Sequence, residues 1–374
     1  MKVGLVSFHS FFYQGGVKRH ILSLKKEFKK RGVQSKIIVP RRKRIENYGP
    51  DVLLLGRSFP VTFAGTQGDF CVSFNPISIE KTLREEKFDI LHFHNFGFPL
   101  AGQILEASKS LNILTFHANL EANNILRLFP QIFYPIKAIT NWEIDGIIGV
   151  SEPILKYFKD FKCPKKIIPN GIDLKEFNPR VPKIKRFLDD KINILFLGRI
   201  EERKGLIYLL KAFKILEKKF PNLRLIIVGE GELRRDCIKF TKENQLKEVY
   251  FEGEGKHGEV SPYYTTADIF VSPAIFGESF GMVLLEAMAS GVPVVAFANQ
   301  GYKELLKKKR GAFLVPPKDY RALVQKIEIL IKKPHLRKKM GEWGQKDAQK
   351  YSWDRICDQV LDFYRFCQRK KQGL

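Results

Sequence analysis

The sequence has little cysteine, no long apolar run and no Asp-x-Asp pair. Its five cysteines among 374 residues form no Cys-x-x-Cys pair, which argues against a disulfide framework or a zinc site and indicates a reducing cytoplasm. The apolar runs are strand-sized and fall well short of the ~18 residues that a membrane-spanning helix needs. Without Asp-x-Asp, the usual carboxylate clamp for a divalent cation is missing.

The chain is strongly basic. Lysine and arginine outnumber aspartate and glutamate by 65 to 40, which gives a formal net charge of +25. Such a field attracts phosphates, anionic lipid headgroups and nucleic acids. Ordinary solvated faces of a lysine-rich chain explain the excess as well as a binding patch does. No base-stacking or groove-reading motif is present, so we expect no nucleic-acid partner.

Short apolar strands alternate with amphipathic helices along the whole chain. This alternation is typical of α/β domains in which helices cover both faces of a mostly parallel sheet. The pattern breaks near Pro169, and residues 178–190 are rich in proline, lysine and aspartate with poor periodicity. We therefore predict two doubly wound, Rossmann-like domains. The first covers residues 1–177, the second covers residues 191–351 after a linker at 178–190, and a last helix occupies residues 352–374.

Ligands of such sheets bind at the carboxyl ends of the strands, and the cleft between two such domains is the expected site. Gly15-Gly16 follows the first predicted strand and opens a helix, so backbone N–H groups there can approach an anion. A plain tight turn explains this pair equally well. In the second domain, Gly229 and Gly231 follow a strand and allow another close approach of the backbone.

Two cations flank one strand-to-helix loop of the second domain. Arg199 follows Gly198 at the end of a strand, and Lys204 comes five residues later, where the next helix is expected to begin. A guanidinium fork and an ammonium point charge at this spacing suit a diphosphate. Exposed arginines and lysines are common, so the pair gains weight only together with other motifs.

The segment 276–291 carries two glutamates. Glu278 lies in a glycine-flanked loop, and Ser279 is expected to cap a helix that starts near Gly281. Glu286 falls inside that otherwise apolar helix, where a carboxylate needs a partner such as a backbone group, a lysine or hydroxyls of a ligand. Eight helical residues span roughly 12 Å. The carboxylates of glycosidases are only roughly 5 to 9.5 Å apart, so we expect the two glutamates to hold opposite ends of an extended ligand.

Three histidines, His92, His94 and His117, lie at the ends of two predicted strands. A metal cluster is one interpretation, but no cysteine or fourth ligand stands near them in the sequence. We favour hydrogen-bonding histidines and expect no metal.

Two features bear on a membrane surface. Residues 123–139 are rich in leucine, isoleucine, phenylalanine and tyrosine, which indicates either a lipid-facing surface or, as we favour, a pair of core helices. Basic runs at Arg41–Arg44, Lys307–Arg310 and Arg337–Lys339 would attract an anionic membrane.

Taken in order, these motifs resemble glycosyltransferase family 4, the retaining enzymes with the GT-B fold. The resemblance covers essentially the whole chain and is carried by Gly15-Gly16, Pro169-Asn170-Gly171-Ile172-Asp173, Gly198-Arg199, Lys204-Gly205 and Glu278-x7-Glu286. The amino-terminal half is most similar to the phosphatidylinositol mannosyltransferase branch, through Gly15-Gly16-Val17-x-x-His20, Gly56-Arg57, Asp89-Ile90-Leu91-His92-Phe93-His94 and Thr115-Phe116-His117-Ala118. That branch commonly carries Pro-Tyr-Ser where this chain has Phe8-His9-Ser10.

The resemblance implies a role for each matching residue. Arg199 and Lys204 would hold and neutralise the donor diphosphate. Glu278 would bind hydroxyls of the transferred sugar, Glu286 would bind the ribose hydroxyls, and His117 would lie beside the donor sugar. The implied catalytic set is Arg199, Lys204, Glu278 and His117. The implied donor-binding set is Gly15, Gly16, Gly198, Gly229, Gly231, Phe280, Gly281, Met282 and Glu286. Acceptor contacts are expected at His9, Tyr13 and Asn119.

The implied fold is GT-B, with two Rossmann-like domains facing across a deep cleft and the carboxyl-terminal helix crossing back onto the first domain. The implied activity is retaining transfer of a hexose from a nucleoside-diphosphate sugar to a hydroxyl of a lipid or glycan acceptor, without metal or cofactor. Mannose from GDP-mannose is favoured over glucose or galactose from a UDP-sugar. We expect a cytoplasmic enzyme, peripheral on the inner face of a membrane. Another GT-B enzyme, such as a sugar-nucleotide epimerase or a phosphorylase, and a non-catalytic binding protein for sugar nucleotides or anionic polymers are the alternatives.

Overall fold

The computed structural model describes residues 1–11, 15–63, 66–97, 99–118, 143–255, 260–307 and 310–373. The chain folds into two compact units. The first unit comprises Met1–Gly171 together with Trp353–Leu374, and the second comprises Ile172–Ser352. The residues 178–190, predicted as a linker, lie inside the second unit.

The first unit is built on a mostly parallel sheet. Its strands are β1 (Lys2–Ser7), β2 (Gln34–Arg41), β3 (Val52–Phe63), β4 (Thr66–Val72), β5 (Ile90–His94), β6 (Leu111–Phe116), β7 (Gly146–Gly149) and β8 (Lys165–Ile167). Within the described residues the order is β4-β3-β2-β1-β5-β6-β7-β8, and every adjacent pair is parallel except β3 and β4. Its first helices are α1 (Gly16–Lys30), α2 (Pro76–Glu86), α3 (Leu100–Glu106) and α4 (Glu152–Leu155). The interior strands are continuous apolar runs because helices cover both faces of a parallel sheet.

The second unit has a fully parallel sheet. Its strands are β9 (Ile192–Leu197), β10 (Leu223–Val228), β11 (Val249–Phe251), β12 (Ile269–Ser272), β13 (Val294–Phe297) and β14 (Ala312–Val315). In the part of the chain that is described, their order is β11-β10-β9-β12-β13-β14. The helices are α5 (Leu206–Lys219), α6 (Arg234–Glu243), α7 (Ser261–Thr266), α8 (Met282–Ala289), α9 (Gln300–Leu306), α10 (Tyr320–Lys332) and α11 (Pro334–Ala348). The predicted pair of Rossmann-like α/β domains is confirmed.

The carboxyl-terminal helix belongs to the first unit. This helix, α12 (Trp353–Lys371), packs against α1, and its buried stripe of Ile356, Val360 and Tyr364 joins the apolar core of that unit. A 3.6-residue period places these side chains on one face. The guanidinium of Arg31, next to the end of α1, donates to Asp354 and Asp358 at 2.8 Å and fixes the start of the helix.

The hairpin of β3 and β4 is absent from the sequence prediction. Its strands pair antiparallel at the edge of the first sheet, with Phe59 opposite Phe70. Phenylalanine side chains on this edge stay exposed, so the segment lacks the continuous burial that identified the interior strands. The edge hairpin therefore gave no clear pattern in the sequence.

Candidate active site

The loops that follow β9 and β12 meet at the carboxyl edge of the second sheet. These strands are parallel neighbours, and the backbone N–H of Ile275 donates to the carbonyl of Arg203 at 2.7 Å, which joins the two loops directly. The predicted residues Arg199, Lys204 and Glu278 all lie in these loops. The sequence prediction that they share one edge is explained by the strand order.

Glu278 is held by two cations. Its Oε1 accepts from Lys204 Nζ at 2.6 Å and from Arg203 Nη1 at 2.8 Å, and the glutamate is only 9% exposed. Burial alone would raise the pKa of Glu278, but the nearby Lys204 and then Arg203 outweigh it, so the pKa lies below its ordinary value. The carboxylate is therefore ionised at neutral pH, and its orientation is fixed before any ligand arrives.

Arg203 is a residue that the sequence prediction missed. Besides Glu278, its guanidinium binds Glu201 through Nε at 2.7 Å, so it bridges two acidic side chains. It lies with Lys204 in a 3-10 turn, Glu202–Lys204, which precedes α5. The predicted helix start at Lys204 is thus two residues early. The signal available in the sequence was that Arg203 is a second cation directly beside Lys204 in the same loop.

Arg199 is the exposed cation of this edge. It follows β9 and Gly198, is 68% exposed, and lies 3.6 Å from Glu201 through Nη2. A long cation this accessible has the reach and the freedom to meet a ligand from solution. The burial of Arg203 and Lys204, by contrast, ties those two side chains to Glu278.

The loop after Glu278 leads into α8, but its cap is not the predicted one. The N-cap residue of the helix is Gly281, with φ 100°, so the prediction that Ser279 takes this position is wrong. The left-handed conformation admits glycine readily, which explains the residue at this turn. The first N–H groups of a helix lack intrahelical partners, so those of α8, starting at Met282, are suited to an anion.

The side chain of Phe280 turns inward. It is buried, and its ring packs edge-on against Tyr351 at 5.7 Å between centroids. A ligand would therefore meet this residue through its backbone, and its predicted place in the donor-binding set stays a prediction.

Glu286 lies on α8, as predicted, and is buried. The hydroxyl of Tyr264 donates to its Oε2 at 2.8 Å. The partner that a buried carboxylate requires is thus supplied at least in part by a tyrosine, a residue type that the sequence reasoning did not consider. The ribose-binding role of Glu286 stays a prediction.

The glycines at the strand ends pack closely against neighbouring backbone. A Cβ on Gly229, which has φ 140°, would lie 2.0 Å from the carbonyl oxygen of Gly198. A side chain on Gly231 would likewise clash with the carbonyl of Ile200 at 2.3 Å. Close approach of the β9 and β10 loops therefore explains both glycines, and their predicted contact with the donor is untested.

Four histidines gather in the first unit. His117 Nε2 lies 3.2 Å from His94 Nδ1, and the ring of His20 lies 4.5 Å from that of His117 between centroids. We call His20, His94 and His117 the histidine cluster. Burial lowers the pKa of His20 to about 3 and those of His94 and His117 well below their ordinary value, so all three are neutral at pH 7.

His92, which the sequence grouped with His94 and His117, lies next to this cluster with its ring 4.2 Å from that of His94 between centroids, but its nitrogens bond elsewhere. Its Nδ1 lies 2.6 Å from the hydroxyl of Tyr364 on α12, and its Nε2 lies 2.6 Å from Thr115 Oγ1. Both ring nitrogens are therefore engaged, and burial lowers the pKa of His92 to about 3. His20 belongs to the motif Gly15-Gly16-Val17-x-x-His20 but had no predicted role, and α1 brings it beside His94 and His117.

The remaining predicted residues of the first unit are at its surface or outside the described chain. The side chain of His9 is 49% exposed, with Nδ1 3.7 Å from Asp69. Gly15 and Gly16 are exposed at the start of α1, and a Cβ on either would meet no described atom within 4 Å. Neither internal packing nor a left-handed turn thus explains these glycines. Tyr13 and Asn119, like the apolar segment 123–139, lie outside the described residues.

Two family models match the chain in succession. The model "Glycosyltransferase Family 4" matches residues 14–176, and the model "Glycosyl transferases group 1" matches residues 178–347. The chain belongs to glycosyltransferase family 4. This family 4 glycosyltransferase is a nucleotide-sugar-dependent hexosyltransferase, and the boundary between the two matches falls close to the boundary between the two units.

Relatives cover the glycosyltransferase over nearly its full length. The phosphatidyl-myo-inositol mannosyltransferase of Mycobacterium leprae is 28% identical over 97% of this chain and 96% of its own. The enzyme of the same name from Mycolicibacterium smegmatis is 27% identical over 97% and 93%.

Solved GT-B structures share its fold. Sucrose-phosphate synthase from Thermosynechococcus elongatus has a TM-score of 0.78 at 22% identity, covering 97% of this chain and 98% of its own. Anabaena HepE in complex with UDP also has a TM-score of 0.78, at 17% identity, covering 98% and 100%. The predicted GT-B fold class is confirmed.

Proposed function

We propose that this glycosyltransferase transfers a hexose, with mannose favoured, from a nucleoside-diphosphate sugar to a hydroxyl of a lipid or glycan, with retention at the anomeric carbon. The observation that carries the proposal is the arrangement around Glu278. This ionised carboxylate is pinned by Lys204 and Arg203 just before α8, and Arg199 stands exposed in the adjoining loop.

The arrangement suits departure of a nucleoside diphosphate. The reaction builds negative charge on the leaving diphosphate, and preorganised cations and helix N–H groups stabilise such charge before it develops. Arg199 and Lys204 supply the cations, and the first turn of α8 supplies N–H groups and the positive end of a helix dipole. Glu278, fixed in place, offers acceptor oxygens to sugar hydroxyls.

Gly15 and Gly16 fit a contact with the same donor. Since no described atom fills the space beside their Cα atoms, the backbone there is open to close approach by a diphosphate. His117, at the end of β6, is the partly exposed member of the histidine cluster and is placed beside the donor sugar in this proposal. Acceptor contacts fall to His9 and, outside the described residues, Tyr13 and Asn119.

We infer that transfer needs no divalent cation. The sequence has no Asp-x-Asp to hold one on the diphosphate, and Arg199 and Lys204 supply the positive charge instead. Retention without a protein nucleophile is then a front-face reaction, in which the leaving phosphate accepts the proton of the attacking hydroxyl.

Mannose from a GDP-sugar is favoured because the mannosyltransferase relatives match along 97% of the chain. A UDP-sugar is the alternative donor. An inositol lipid is less well supported than mannose, since the chain has Phe8-His9-Ser10 at the loop where that branch commonly carries Pro-Tyr-Ser.

A membrane-bound acceptor is supported by one face of the first unit. Five apolar side chains, Phe59, Val61, Phe70, Phe74 and Ile77, are each at least 40% exposed on the β3–β4 hairpin and the start of α2. We call them the hairpin face. Beside Phe59 lies a pocket of about 450 Å³ lined by Arg41, Arg42, Lys43, Arg44 and Arg57.

Exposed aromatic side chains next to clustered arginines are typical of a surface that docks on anionic lipid. Within the described residues no helix has both the length and the apolarity to cross a bilayer. We propose that the enzyme is cytoplasmic and peripheral on the membrane, with the hairpin face as its docking surface.

The test is a transfer assay with a donor panel of GDP-, UDP- and ADP-hexoses and a lipid extract, followed by determination of the anomeric configuration. We expect one GDP-sugar to be used, in the presence of EDTA, with retention. Arg199→Ala and Lys204→Ala should each lower turnover about 10²-fold or more. Arg321→Ala, an exposed cation on α10, is the control. Near-normal rates in both site variants, or donor epimerisation without transfer, would overturn the proposal.

A further inference from the structure

The histidine cluster contains two residues, His20 and His94, that the proposed reaction does not use. The members come from α1 and from the ends of β5 and β6, and one ring nitrogen of each lies within 4.8 Å of one from each of the others. His94 and His20 are buried, and His117 is partly exposed. The ring nitrogens of His94 and His117, 3.2 Å apart, are close enough to share a proton or to bind one cation.

The amide of Asn170 stands behind the cluster. Its Oδ1 lies 3.1 Å from His20 Nδ1. A carbonyl oxygen accepts only, so His20 Nδ1 carries the hydrogen and its Nε2 presents a lone pair. A carbonyl that fixes the tautomer in this way is the usual outer support of a metal-binding histidine.

The spacing between His94 and His117 supplies the second observation. His94 Nδ1 lies 3.2 Å from His117 Nε2. Two nitrogens on one tetrahedral zinc ion, each about 2.0–2.1 Å from the metal, are about 3.3 Å apart. The observed spacing of this pair thus already matches that of two ligands on one ion, and closing the widest separation, which is at most 4.8 Å, takes a shift of about 1.5 Å.

We propose that His20, His94 and His117 bind one divalent transition-metal ion of the zinc class, with the fourth position open on the side of His117. Imidazole ligands favour zinc, cobalt, nickel and copper and disfavour magnesium and calcium. The site is therefore distinct from a cation on the donor diphosphate. Because the proposed function places His117 beside the donor sugar, the bound metal inhibits transfer, and this consequence rests on that proposed function.

The test is titration of the full-length, chelator-treated enzyme with Co²⁺, followed by its visible absorption, and with Zn²⁺ by calorimetry. We expect one ion per chain with a tetrahedral cobalt spectrum. His94→Gln and His117→Gln should each weaken binding at least tenfold. Asn170→Ala, which keeps all three ligands, should weaken it about 10- to 100-fold. His335→Gln, an exposed histidine on α11, is the matched control.

The outcomes separate the site from the reaction. Failure of the wild-type enzyme to bind one ion, or equal binding by well-folded His94→Gln and His117→Gln variants, would overturn the metal site. Folding of each variant is checked by circular dichroism, and His117→Gln, which alters the partly exposed member, covers the case in which His94→Gln does not fold. Binding of Zn²⁺ without inhibition would support the site and refute the placement of His117 beside the sugar.

Discussion

At the scale of single residues, the candidate donor site is organised around one carboxylate. Glu278 accepts from both Lys204 and Arg203, while Arg203 also holds Glu201. A buried carboxylate with two charged partners has little freedom to reorient. The chain thus presents Glu278 in one orientation, as a sugar-binding acceptor requires, and Arg203 is its positioning residue.

The first prediction concerns Arg203. In Arg203→Ala, Glu278 keeps Lys204 as a partner but loses a charged hydrogen bond, so the free energy of unfolding should fall by about 1–3 kcal/mol. The misplaced carboxylate should lower turnover by between about tenfold and about a hundredfold. Urea unfolding and transfer kinetics measure the two effects. Lys219→Ala, which removes an ion pair whose lysine is 52% exposed, should change stability by less than about 0.5 kcal/mol. Wild-type kinetics in Arg203→Ala would contradict the positioning role.

The second prediction concerns acid. Since the pKa of Glu278 in the folded enzyme lies below its ordinary value of 4.5, the unfolded chain takes up its proton first as the pH falls. The stabilisation is complete above pH 4.5 and is lost as the pH drops through the folded value. The stability advantage of wild type over Glu278→Gln should therefore shrink in urea unfolding as the pH falls below about 4.5. Glu243→Gln, at an exposed ion pair, is the control. A pH-independent advantage would refute the shifted pKa.

The individual site residues were only partly predictable. Arg199, Lys204 and Glu278 were found because glycines and strand ends mark their loops, and parallel strands bring such loops to one edge. Arg203 was missed because nothing local distinguishes it from any exposed arginine; its partners, Glu201 and Glu278, are known only from the fold. The sequence likewise could not place His20 beside His94 and His117, because α1 lies far from β5 and β6 in sequence.

At the scale of elements, burial decided what the sequence could predict. Interior parallel strands such as β1 and β10 are continuous apolar runs and were located to within a few residues. The edge hairpin of β3 and β4 was missed because its exposed phenylalanines interrupt the alternation of apolar and polar side chains that marks a half-buried strand. The sequence prediction included the turn before α5 in the helix, because a 3-10 turn of three residues is too short for its period to be told from that of an α-helix.

The third prediction concerns α12 and its contact with β5. The hydroxyl of Tyr364 and the ring of His92 are both fully buried and lie 2.6 Å apart. Tyr364→Phe leaves a buried imidazole nitrogen without its partner, so the free energy of unfolding should fall by about 1–3 kcal/mol. Phe366→Ala, at a half-exposed position on the same helix, should have a much smaller effect. Equal urea midpoints for Tyr364→Phe and wild type would show that the contact contributes nothing.

At the scale of the whole molecule, the fold determines where the cations behind the net charge of +25 lie. Many of the cations are neutralised in ion pairs, as at Lys2 and Lys36, which share Glu86. The basic run at Arg41–Arg44, in which Arg42 pairs with Asp69, lines a pocket next to the hairpin face. The sequence could count these charges, but only the fold brings them beside exposed aromatic rings.

The last prediction tests this membrane surface. Each lysine or arginine near an anionic bilayer contributes about 1 kcal/mol. Replacing Arg41, Lys43 and Arg44 by alanine should therefore weaken binding to phosphatidylglycerol vesicles about a hundredfold. Phe74→Ser and Ile77→Ser should weaken binding further without changing its dependence on salt, because they remove apolar insertion only.

A matched variant controls for charge. Replacing Lys218, Lys242 and Lys346, three exposed lysines of the second unit, removes the same charge without altering the hairpin face or the basic run beside it. A flotation assay across salt concentrations compares the two triple variants. If attraction to the net charge alone holds the enzyme on the vesicle, both variants lose binding equally and the hairpin face is not the docking surface. If the hairpin face docks, only the first variant is released, because the cations that count are those within a Debye length of the lipid.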